Sequence, residues 1–413
     1  MVEQRAKASY GYVHGFLFLF FIFALRIVPD DIILFFAIGL FCIAPMNQSI
    51  MMYIFSFVWC LEAVFSFGIT FSLIISVLFV LKCTLITQKI FMYKYEFLFL
   101  LLFLVLGGFN YFLYGTLTGI SICVYFYASC IIFHMMMSKS NEEAEVFFKT
   151  ILFMILIGVF EGTVYGYIDG TSVLRWIPGF GYVNQLYGTL GTSRFTLYGC
   201  IALLYPLYFM KKNISKWIVF TIISVIILLS ISLTAIVLYV GVIAYYLISN
   251  MNLKRVPRKG VITFFCTIGV IILIVSQLSN IPFMEPIMLR VEEMVTSIIE
   301  GNMNDATTGR TELTDAYVTM FKEGSFFQKV FGKAWLGYDE LIGKYSHNSY
   351  LDILNYSGVV GLLSILFVQL KRLKHYYKTN NFKVMLIVKL ILLIGATTVS
   401  TFSAQYWFGL LFI

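Results

Sequence analysis

The sequence predicts an all-α, polytopic integral membrane protein of about twelve to fourteen transmembrane helices with one large extracytoplasmic helical loop. Three observations carry that expectation. Apolar residues make up 60% of the chain and charged residues only 12%, with a mean hydropathy of +0.89, values that exclude a soluble globular protein. Lysines and arginines gather in four short clusters, 82–94, 211–216, 254–259 and 371–378, and short cytoplasmic loops are where such residues accumulate. A single long polar passage, 308–363, breaks the apolar pattern. The seven cysteines all fall in apolar runs, so they read as small core residues with no disulfide framework.

Taken in order, the elements follow from that charge bias. Arg5 and Lys7 precede the first apolar run without a small-residue cleavage site, which predicts a cytoplasmic N-terminus and an uncleaved first span. Pro29-Asp30-Asp31 then faces outward, and 47–81 forms a hairpin of spans. A second outer loop runs 166–193. Between two basic clusters lie the 37 residues 217–253; basic flanks on both sides demand an even number of crossings, hence two short spans turning near Ser230–Thr234. The last apolar run, 384–413, is one span or two. No internal repeat is visible, so the chain divides into transmembrane helices at 1–278, an extracytoplasmic loop at 279–346 and C-terminal transmembrane helices at 347–413, all within one membrane domain.

The loop 279–346 carries six basic and ten acidic residues, a net of minus four. The chain's overall +8 therefore resides on the cytoplasmic face, where anionic lipid headgroups account for it without a nucleic-acid partner. Val291, Val295, Ile298 and Ile299, then Leu313, Tyr317, Met320 and Phe321, are spaced for two amphipathic helices. The loop ends at His347, the one histidine of four on this side. From it Leu351, Leu354, Gly358 and Gly361 continue one helical face, while Asn348, Asp352 and Asn355 form a polar stripe beside it. With Ser346 as N-cap, a helix starting here enters the membrane from a water-filled mouth, its N-terminus keeping the imidazole neutral and able to accept a proton.

Of nine arginines, Arg175, Arg194, Arg290 and Arg310 lie outside, against the usual bias. Interfacial anchoring explains any one of them, but several around a cavity suit a diphosphate, because a guanidinium fork holds phosphate oxygens bidentately at any biological pH. At the outer face of a membrane that diphosphate belongs to a polyprenyl-linked sugar. A rival reading pairs Asp30 and Asp31 around a divalent cation. Another makes Glu62 and Glu161 part of a translocation path for lipid-linked sugars, although hydrogen bonding between helices accounts for both.

Gly309-Arg310, the turn Phe331-Gly332-Lys333-Ala334-Trp335-Leu336-Gly337, the run HNSYLDILNYSGVVGL from His347 to Leu362, and Arg194 followed by Gly199 together resemble the O-antigen ligase and Wzy-type O-antigen polymerase superfamily of bacterial membrane glycosyltransferases. Two places depart from that pattern. Ser232-Leu233-Thr234-Ala235 replaces a Ser-Arg-Gly, and Leu204-Tyr205-Pro206-Leu207 replaces an Asn-Pro-Asn. The resemblance implies a GT-C-like helical fold in the bacterial inner membrane, with the active site facing outward. It also implies an undecaprenyl-pyrophosphate-linked oligosaccharide as donor, with neither metal nor other cofactor.

On that reading His347 is the general base, Arg310 and Arg194 stabilise the departing pyrophosphate with Arg290 and Arg175 nearby, and Asn348 and Tyr350 orient a sugar, giving inversion at the anomeric carbon. Polymerase and ligase share these parts. A ligase must accept the phosphates of lipid A core, which an acidic loop does not favour, so polymerase is the expectation, with a chain-length regulator as a candidate partner. Tyr182, Tyr187, Tyr338 and Tyr345 near the outer face are suited to stacking on sugars.

Overall fold

The computed structural model describes residues 13–27, 31–59, 65–66, 68–88, 90–114, 118–137, 142–168, 174–177, 181–184, 192–211, 213–229, 233–250, 292, 296–297, 299–301, 310–333, 348–379 and 381–397. Its helices are α1 (Val13–Ile27), α2 (Asp31–Ile43), α3 (Met46–Trp59), α4 (Phe71–Thr87), α5 (Lys94–Tyr114), α6 (Thr118–Met136) and α7 (Glu142–Ile168). They continue with α8 (Thr192–Ala202), α9 (Ile214–Leu229), α10 (Leu233–Asn250), α11 (Arg310–Glu323), α12 (Phe326–Phe331), α13 (Ser349–Tyr376) and α14 (Phe382–Gly395). The one departure from an all-helical plan among the described residues is a hairpin of β1 (Leu174–Ile177) and β2 (Gly181–Asn184), antiparallel, with Arg175 opposite Val183. It falls in the expected outer loop, where aromatic and β-branched residues flank Pro178-Gly179, and such dipeptides turn rather than continue a helix.

Both hairpins read from charge are present as packed helix pairs: α3 with α4, and α9 with α10. Among the described residues one helix, α13, is long and apolar enough to cross a membrane; shorter apolar helices of 10–17 residues accompany it. The first amphipathic segment, 291–299, lies largely outside the described residues. So do Asp30, Glu62 and 398–413, and the side chain of Glu161 is likewise not described.

Two apolar cores hold the bundle. The larger runs through α1–α4, α6–α10 and α14; the smaller joins α5, α6 and α13 through Phe99, Phe103, Phe126, Ile353, Tyr356 and Ile365. Helix ends within them have carbonyls with no intrahelical partner, and lysines satisfy several. Lys82 Nζ donates to the carbonyls of Phe41 (2.8 Å), Cys42 (3.1 Å) and Ala44 (2.5 Å) at the end of α2. Lys216 serves Leu207 (3.0 Å) in the π-helical turn Tyr205–Phe209, and Lys383 serves Ser249 (2.7 Å) near the end of α10. Lys389 is buried and bonded to Gln369. The basic excess is thus partly internal, a correction to the expectation that lipid headgroups account for all of it. Asp31 opens α2 and its carboxylate accepts the Ser66 N–H and hydroxyl, tying that helix to the turn between α3 and α4.

Candidate active site

α13 begins two residues later than the sequence suggests and is capped by a different side chain. Asn348 is the N-cap: its Oδ1 accepts the N–H of Tyr350 (3.0 Å) and Leu351 (3.3 Å). Ser346, the expected cap, lies outside the described residues, as do His347 and Arg290. The start of α13 is pinned to the end of α14 twice. Ser349 N–H donates to the Ala396 carbonyl (2.8 Å), and the Tyr350 hydroxyl donates to the Leu393 carbonyl (2.8 Å).

That end of α14 also receives α8. The Leu197 side chain fills the space that a Cβ on Gly395 would need, and Leu197 follows Arg194 by one helical turn on α8. Arg194, read from sequence alone, therefore stands on the helix that packs against the same α14 terminus to which the start of α13 is bonded. Five residues after Arg194, Gly199 packs close to Ile227 of α9, which explains the need for a small residue there.

Helices α11 and α12 reach α13 from another side through a backbone joint. Gly358 has φ 67° inside α13, a left-handed value that breaks the helical ladder and that glycine adopts without steric penalty. The Asn355 carbonyl, at this break, accepts Lys333 N–H (2.8 Å). A Cβ on Gly358 would overlap the Val330 carbonyl, and one on Gly332, itself at φ 88°, would overlap that of Tyr356, so only two glycines let these chains approach so closely. Around the joint Asn355 Nδ2 donates to Tyr317 O (3.2 Å) and Lys333 Nζ donates to Met320 O (2.6 Å), both on α11.

This geometry corrects the reading of the polar stripe. Asp352 and Asn355 are buried at 0% and 1% exposure; they face helix packing and not a water-filled mouth. α11 itself is amphipathic as expected, with Tyr317 buried, Leu313, Met320 and Phe321 partly buried, and Glu312, Asp315 and Glu323 exposed. It starts at Arg310, two turns before Tyr317, just as Asn348 stands two turns before Asn355. Arg310, Arg194 and Arg175 are described in backbone, and Tyr187, Tyr338 and Tyr345 lie outside the described residues. The α11–α13 joint was missed from sequence because Gly358 read as one small residue on a face, and the positive φ that gives it its role is not legible from spacing.

Residues 218–366 match a family model described as O-antigen ligase, a span that takes in α11, α12 and most of α13. No curated protein matches the chain.

Proposed function

We propose, from the match of residues 218–366 to the O-antigen ligase family model, a polytopic inner-membrane glycosyltransferase that polymerises lipid-linked repeat units of O-antigen or another surface polysaccharide at the outer face. The observation that supports this best is convergence. Arg194 on α8, the start of α13 next to His347, and α11 opening at Arg310 are linked through the α14 terminus and the glycine joint. Membrane placement is supported by outward-facing phenylalanine, leucine and isoleucine side chains, among them Phe16, Phe35, Leu85, Leu98 and Phe112, which an aqueous surface does not favour.

Transfer proceeds by attack of a sugar hydroxyl on the anomeric carbon of the donor. His347 takes the hydroxyl proton as the new glycosidic bond forms, and the bond to undecaprenyl pyrophosphate breaks on the opposite face with inversion. The leaving diphosphate needs charge neutralisation more than a proton, which Arg194 and Arg310 supply, with Arg290 and Arg175 as further phosphate contacts. Asn348 and Tyr350 orient the sugar, and a chain-length regulator is a candidate partner. The net acidic outer loop favours a glycan acceptor over the phosphates of lipid A core. The matched family's description favours the second reading, ligation onto that core.

Purified protein reconstituted with a lipid-linked repeat unit, with and without lipid A core, separates the two. A ladder of products from the repeat unit alone is expected, and transfer only when core is added establishes the ligase. His347→Ala should slow the ladder by roughly 100-fold or more, the contribution of a positioned base. A ladder at the wild-type rate removes the histidine from the chemistry.

A further inference from the structure

α12 is a short helix with no buried residue, yet it is firmly built. Ser325 Oγ accepts Gln328 N–H (3.3 Å) and Gln328 Oε1 accepts Ser325 N–H (2.9 Å), a reciprocal cap. At roughly 100° per residue its apolar side chains Phe326, Val330, Phe327 and Phe331 share an arc of about 140°, leaving Ser325, Gln328 and Lys329 on the rest. Phe326 and Phe327 are 84% and 67% exposed, and the Phe327 ring lies tilted against that of Phe331 with centroids 4.9 Å apart. A capped helix that turns an aromatic face outward needs something to cover that face.

Its position says what. The Gly332–Gly358 joint holds α12 beside residue 358 of α13, and the next residue opens an exposed apolar stripe, Val359, Leu363, Phe367 and Leu370, spaced four, four and three along that helix. The phenylalanine arc thus adjoins one end of the stripe, with the exposed Lys322 and partly buried Lys329 beside it. Apolar aromatics bordered by lysines at the end of a lipid-facing stripe fit the boundary between acyl chains and headgroup phosphates.

We propose that α12 is a membrane foot: Phe326, Phe327 and Phe331 seat in the outer leaflet, fixing the height of the outer loop above the bilayer. This rests on the membrane reading given above. The test uses full-length F327W and F367W in vesicles of phosphatidylcholine brominated at upper or lower acyl positions, comparing the emission each adds to that of the five native tryptophans. The emission added at 327 should be lost most strongly to upper-chain bromine and little to aqueous iodide, whereas that at 367 should be lost to bromolipid alone. Loss to iodide at 327 overturns the foot. Protection from both quenchers also overturns it, assigning the face to a second copy of the chain or to another protein surface. If 367 is quenched by iodide and not by bromolipid, the membrane reading itself falls, a result separable from failure of the foot.

Discussion

Asn348 and Gly358 set where α13 starts and where it bends, and each is separable by substitution into structural and chemical parts. Asn348→Ala removes the acceptor for two backbone donors and should cost about 1 kcal/mol, while Asn348→Asp keeps a good N-cap. If the amide nitrogen also orients a sugar, Asn348→Asp should melt with the wild type but make glycan more slowly; equal rates would leave Asn348 a cap only. Gly358→Ala forces an L side chain into a left-handed conformation, worth about 1–3 kcal/mol, and drives its Cβ into the Val330 carbonyl. The expected result is faster trypsin cleavage at Lys322, Lys329 and Lys333 in the loop, with the remaining bundle intact. An unchanged digestion pattern would show that the joint does not hold the loop.

At the scale of elements, Asn355 is the side chain that couples α11 to α13, since its Nδ2 bonds Tyr317 O across the joint. Asn355→Leu keeps the volume approximately and deletes the bond, so it should lower kcat more than it raises the KM for lipid-linked substrate, because α11 loses the side-chain bond that fixes it against α13. A change in KM alone would place Asn355 outside this coupling. The amphipathic face of α11 was legible in sequence because Leu313, Tyr317, Met320 and Phe321 repeat at helical spacing, and the α9–α10 hairpin was legible because basic residues flank it. The stripe of Asn348, Asp352 and Asn355 was legible as polar but misplaced. Periodicity reports which residues share a face, not whether water or a neighbouring backbone carbonyl meets them. Ser346 and Asn348 are both good caps by type, and it is the bonds from Ser349 N–H to Ala396, 47 residues away, and from the Tyr350 hydroxyl to Leu393 that tie the helix start beginning at Asn348 to α14.

Across the whole molecule, Glu96 and Arg372 join α5 to α13 over 276 residues of sequence through a 2.7 Å charged bond, both side chains being fully buried. His134 stands 3.5 Å from the same carboxylate, Cys130 Sγ accepts from the guanidinium at 3.0 Å, and Phe126 and Phe133 cover its face. Sequence reading put Arg372 in the cytoplasmic basic cluster 371–378 and did not single out Glu96, because nothing local distinguishes a lysine or arginine at a helix end from one buried against a distant acid. Removing one partner of such a pair strands the other in an apolar core, an effect of about 3–5 kcal/mol, whereas replacing both with apolar groups of similar size is often near neutral. Arg372→Met should therefore lower the melting temperature of the purified protein sharply, and Arg372→Met with Glu96→Leu should recover most of the loss, a coupling read from the double-mutant cycle. Because α13 carries this anchor at one end and the start of the candidate site at the other, the single variant should also lose glycan synthesis in step with stability, and the double variant should regain both. Recovery of stability without recovery of synthesis would mean that the ion pair, and not merely the packing of α5 on α13, sets the position of the helix that bears the site.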